Sequence, residues 1–125
     1  KCEVVVGSYV GKCELKINET TSQTINLGFR PSAVEVYTSR GKQRVEYPYA
    51  EYEEHTYGGL ALDGAPLIAV GGNSPIIPAI EITNNGFICR NYANGKRYIE
   101  TVRTCEKGKT YYYKAYKNCT RKDFS

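Results

Sequence analysis

Two Asn-Gly pairs, Asn85-Gly86 and Asn94-Gly95, each stand between short runs in which β-branched and aromatic residues alternate with polar ones. Asn and Gly tolerate the positive φ that a tight hairpin demands, so each pair predicts a reversal between antiparallel strands. Together they predict a three-stranded meander over 79–83, 87–91 and 97–104. Gly108 then leads into a last strand over 110–117, where Tyr111, Tyr113 and Ala115 share one face and Tyr112, Lys114 and Tyr116 the other. A strand with aromatics on both faces belongs inside a sandwich or at an oligomer interface.

The same short alternation opens the chain. Strands are expected over 3–6, 14–17 and 22–27, with Val4, Val6, Leu15, Ile17, Ile25 and Leu27 facing inward. Pro31 restarts the chain, and 33–38 places Val34 and Val36 inward against Glu35 and Tyr37 outward. Helical spacing is absent. Seven to eight short strands without room for crossover helices predict an all-β fold, an antiparallel β-sandwich or flattened barrel.

At 125 residues, with 41% apolar and 24% charged positions, the chain fits one ordinary domain with its own core over 1–125. The longest uncharged run, 64–80, is broken by Pro66, Gly71, Gly72, Pro75 and Pro78. It cannot make the roughly 20-residue apolar helix a membrane span requires, and no membrane insertion is expected. A start at Lys1 and the lack of any Met read as a trimmed piece of a longer product.

Five cysteines, Cys2, Cys13, Cys89, Cys105 and Cys119, contain no C-x-x-C pair, and His55 is the single histidine, so neither a metal site nor a cofactor is expected. The odd count leaves at least one thiol unpaired within the chain. Reduced, buried thiols and one or two disulfides are both compatible with the spacing. From Arg90 onward ten Lys or Arg face three acids, giving +7, while residues 1–89 carry seven against ten, giving −3; the sum is the net +4. Such a basic third suits an anionic partner or a solvated face, and nucleic acid is the less favoured partner.

Catalytic parts are missing. His55 lies in a Glu-Glu-His-Thr run with no nucleophile elbow nearby and reads as a surface residue. No Gly-rich loop followed by Lys and Ser or Thr is present to cradle phosphate. A glycosidase needs two carboxylates, one with a raised pKa, and the clustered acids Glu51, Glu53, Glu54 and Asp63 sit among polar and Tyr-rich neighbours. The reading is a non-enzyme.

Twelve Tyr with no Trp is the compositional oddity. Tyr is a rigid apolar plate with a polar tip, suited to sugar rings and to subunit contacts alike. Over 39–73 the pattern becomes an irregular or hairpin excursion carrying Tyr47, Tyr49, Tyr52, His55 and Tyr57, where a binding loop is expected. A second, basic candidate patch comprises Arg90, Tyr92 and Arg97.

Three segments carry a resemblance: Thr24-Ile25-Asn26-Leu27-Gly28-Phe29-Arg30-Pro31-Ser32-Ala33-Val34, Ile82-Thr83-Asn84-Asn85-Gly86-Phe87, and Gly108-Lys109-Thr110-Tyr111-Tyr112-Tyr113-Lys114-Ala115-Tyr116. In order and spacing they resemble a C-terminal module of tail-fibre and baseplate-associated proteins from phages and prophages of Gram-positive hosts. The skeleton is more loosely similar to the H-type lectin fold, a trimeric sandwich that binds N-acetylgalactosamine near subunit contacts. Those lectins typically place a Trp among their sugar ligands; this chain has none, so only the location of a site carries over. The resemblance implies a virion or prophage-derived particle made in a bacterial cytoplasm and acting outside it. Its implied partners are further copies of the chain, as a trimer, other tail proteins and a host-surface glycan. The alternatives are a purely structural oligomerisation module and, third, a cell-wall glycan hydrolase.

Overall fold

The computed structural model describes residues 1–39, 41, 44–46, 54–69, 76–95 and 100–124. Among them lie eleven strands: β1 (Glu3–Val10), β2 (Thr21–Asn26), β3 (Ala33–Thr38), β4 (Arg44–Glu46), β5 (Glu54–Thr56), β6 (Gly59–Leu62), β7 (Leu67–Ala69), β8 (Ile77–Thr83), β9 (Gly86–Asn94), β10 (Glu100–Arg103) and β11 (Thr110–Lys117). A 3-10 turn, Arg121–Phe124, follows. One sheet runs β1-β11-β3-β6; the other runs β4-β5-β10-β9-β8-β7, with β2 also paired to β9. The two sheets pack face to face as the all-β sandwich that the alternation predicts. The strand count exceeds seven or eight because 39–73, expected as an excursion, contributes β4 to β7. Of these, β6 completes the first sheet against β3 and buries Ala61 fully.

The meander forms, and β11 has the bounds expected of it. At the first reversal Thr83 pairs with Gly86, so the turn residues are Asn84 and Asn85, one position before the Asn-Gly pair. Gly86 instead opens β9 at φ 156°, where an added Cβ would collide with the Ile25 carbonyl of β2. The glycine serves strand approach rather than the turn. At the second reversal Asn94 is still in β9, paired with Glu100, and Gly95 leaves the strand at φ 66°. All pairings between named strands are antiparallel except β5 with β10, which is parallel.

Between the sheets Val34, Val36, Ala115, Ile80, Phe87 and Cys89 are fully buried. Tyr9 and Tyr111 stack with centroids 5.3 Å apart, and Phe87 meets Tyr9 and Tyr113 edge-on at 5.9 and 5.5 Å. Ile25, Leu27 and Phe29 pack against this core. Asn91, fully buried, spans two connectors: its Nδ2 donates to the Cys13 carbonyl at 3.1 Å and its Oδ1 accepts from Cys105 N at 3.0 Å.

Three expectations near the start of the chain are corrected. Val4 and Val6 point outward, 54% and 69% exposed, and Tyr9 is the inward residue of β1. Gly7 lies beneath the Tyr113 ring, where a Cβ would strike it, and this contact sets which face of β1 turns in. Residues 14–17 form only isolated bridges, Lys16 with Glu19 and Ile17 with Ala93, and Ile17 is exposed.

Replacing Phe87 with Ala empties the centre of the sandwich against the Tyr9 and Tyr113 rings. We expect a loss of about 3–5 kcal/mol, read by urea denaturation at constant m.

Candidate functional site

Among the described residues, a concavity lies at the end of the first sheet, where β3 finishes and β11 starts. It is a half-open groove of about 620 Å³, lined by Thr38, Ser39, Tyr57, Glu106, Lys109 and Tyr112 among others. Its walls follow from the core. The Tyr111 hydroxyl donates to the Arg103 carbonyl at 2.5 Å and accepts from Glu106 N at 3.0 Å, so the buried ring fixes the connector that presents Glu106 and Lys109. Burial, before all other causes, pushes the Tyr111 phenol well above its ordinary range, keeping it a donor at any working pH. Glu106 is held in turn by Arg103 Nη1 at 3.2 Å.

The opposite wall comes from the segment after β5. Gly58 approaches the Val36 carbonyl so closely that a Cβ would collide with it, which lays this segment against β3 and carries Tyr57 to the groove. On the same sheet end Tyr112 stacks on Tyr37 with centroids 6.0 Å apart. The groove thus offers aromatic plates, hydroxyls, a carboxylate and an ammonium within one shallow space, a set suited to a polyhydroxylated ligand.

The proposed contact residues fare differently. Of the described members of the first cluster, Tyr57 lines the groove. His55 is buried rather than at the surface: β5 is clasped between β4 and β10, its Nδ1 lies 2.6 Å from Thr101 Oγ1, and its ring is tilted against Tyr57 at 6.4 Å. Its ring thus backs Tyr57 from within the second sheet. Tyr47, Tyr49, Tyr52 and Arg97 lie outside the described residues.

Of the second patch, the described members Arg90 and Tyr92 are both covered. Tyr92 is buried with Ile77, Ala79 and Val102 because β9 is covered along its length. Arg90 is largely buried, donating to the Pro78 carbonyl at 2.9 Å and pairing with Glu81 at 2.8 Å. The basic C-terminal third is similarly matched at Lys107, 3.2 Å from Glu14. The sequence asymmetry in charge therefore folds partly into ion pairs between the two regions.

Of the clustered acids, Asp63 is gripped by Arg30 at 2.6–3.1 Å. That hydrogen bonding holds its carboxyl below the usual range, opposite to the shift a general acid needs. Glu54 stands in register with Glu100 of β10, while Glu51 and Glu53 lie outside the described residues. Cys2 and Cys119 approach Asp123, yet their sulfurs are joined to each other and offer no thiolate to a metal. Sequence reasoning missed Thr38, Ser39, Glu106, Lys109 and Tyr112 as a group, because only the pairing of β3 with β11 gathers them.

The Asp63 pair gives a signed pH test. A carboxylate depressed on folding stabilises above its unfolded pKa and loses that contribution as pH falls through its folded pKa. Asp63→Asn is therefore expected to lower the melting temperature slightly at neutral pH, with the difference from wild type vanishing in acid. An unchanged difference across the acid range would show that the pair is not ionic.

Compared with known proteins, the chain matches no family model, no curated protein and no solved structure.

Proposed function

We propose that this chain is a non-catalytic, host-surface-binding module of the tail-fibre type that its motifs resemble, and that it binds glycan in the groove between Tyr57 and Tyr112. The groove itself is the observation that carries this reading. The apolar face of a sugar ring packs on a phenol ring, while Thr38, Ser39, Glu106 and Lys109 reach its hydroxyls. The site is shallow, so each contact is weak, and several copies displayed together supply the avidity. A trimer and neighbouring tail proteins are the partners of this proposal. The Cys2–Cys119 disulfide suits a particle that works outside a reducing cytoplasm.

The test is a glycan array that includes N-acetylgalactosamine-terminated chains, together with Gram-positive cell wall, using wild type, Tyr57→Ala and Tyr112→Ala. Each substitution should weaken binding about tenfold, the value of one aromatic plate, with melting temperature little changed. Binding unaffected by both changes would remove the groove from the proposal, and a folded wild-type chain that binds none of these surfaces would remove the function.

A structural role is the second reading, favoured by the outer face of the first sheet. Val4, Val6, Val10 and Leu60 are all exposed there, beside Tyr112. Val4, Val6 and Val10 share one face of β1 at the edge of that sheet, with Leu60 across it beyond Lys114 and Glu35, and an exposed valine row of this kind suits a subunit contact. If that face joins copies, Val6→Lys should turn an oligomer into a folded monomer in sedimentation velocity. A wild type that is already monomeric at high concentration would end this reading.

A further inference from the structure

Three cysteines remain outside the Cys2–Cys119 bridge, all buried in the core: Cys13, Cys89 and Cys105. They are not equivalent. Cys89 donates its thiol to the Tyr9 hydroxyl at 3.2 Å, while Cys105 Sγ lies 3.4 Å from Asn91 Oδ1 and faces Cys13. The Cys13 and Cys105 sulfurs lie 2.8 Å apart, inside the contact distance of two sulfur atoms that share no bond. Their backbones are tied as well. Cys13 N donates to the Cys105 carbonyl at 2.9 Å, Lys107 N donates to the Cys13 carbonyl at 2.9 Å, and the Asn91 carboxamide clamps both residues from one side. Gly11 lets the two connectors approach, since a Cβ there would strike the Cys105 and Glu106 backbone. A small shift of either side chain brings the sulfurs to the bonding distance of about 2.04 Å.

We propose that Cys13 and Cys105 form a second disulfide in the mature protein, leaving Cys89 as its one free thiol. The two S–H bonds break, one S–S bond forms, and the two protons and two electrons pass to a low-molecular-weight disulfide, which is reduced to two thiols. A chain that matures where Cys2 and Cys119 are oxidised meets such an oxidant. Burial pushes the Cys89 thiol up to about 12, and burial, then the contact with Cys13, raises Cys105 further from the ordinary range. Little thiolate exists once the core has closed, so the exchange belongs to assembly, as residues 105–109 dock along 11–13. The new bond would fasten the connector leading into β2 to the connector that carries Glu106 and Lys109, and so would fix one wall of the groove from inside.

The full chain, refolded in a mixture of reduced and oxidised glutathione, is unfolded in guanidinium without reductant and treated with iodoacetamide. Intact mass should show one adduct, placed on Cys89, and a non-reduced peptide map should join Cys13 to Cys105. Three adducts, or a map joining Cys89 to either partner, would overturn the proposal. Because wild type is used throughout, no variant that fails to fold enters the result.

Discussion

The sandwich depends on how its core tyrosines satisfy their hydroxyls. Tyr9 and Tyr111 stack where only apolar side chains would be free of obligation, and a buried phenol without a partner costs about 1–3 kcal/mol. Both find carbonyls on the same short stretch: Tyr9 donates to Thr104 at 2.6 Å and Tyr111 to Arg103 at 2.5 Å. Rings from the first sheet thus reach across and hold the end of β10 in the second. The sheets are keyed to each other by polar contacts at one end, in addition to the apolar packing that any sandwich has.

That keying reaches the groove. The stretch held by the two hydroxyls continues directly into Glu106 and Lys109, so a surface wall inherits its position from the core. The facing wall is anchored similarly, with Tyr57 resting against His55 and His55 against Thr101 of β10. The proposed glycan site would gain from such support, because ordering a loose loop on binding would consume much of a small interaction energy. Both walls converge on β10, a four-residue strand whose own sequence, Glu-Thr-Val-Arg, advertises nothing of this.

What the sequence made legible was local, and what it hid was long-range. The bounds of β11 and the inward Val34 and Val36 follow from alternation, which needs no knowledge of neighbours. The three consecutive valines of β1 fit either face, and the choice fell to Gly7 beneath Tyr113, a contact more than a hundred residues distant. His55 read as a surface residue because its run is polar; only the parallel pairing with β10 buries it. Tyr92 was misread for the same reason, since β9 pairs with β2, β8 and β10 and has scarcely an exposed position. Of the site, Tyr57 was legible and its companions from β3 and β11 were not.

The Cys2–Cys119 bridge lies at the open end of the β1–β11 pair, next to the Glu3–Lys117 register, with its two Cα atoms 4.5 Å apart. Antiparallel strands joined there would peel apart one hydrogen bond at a time if pulled from that end, the weakest geometry a sheet offers. With the sulfurs bonded, tension entering at residue 2 and leaving at residue 119 passes through a single covalent link. The strands between residues 2 and 119 then hang from that link as a side loop carrying no load, and the groove keeps its shape under tension.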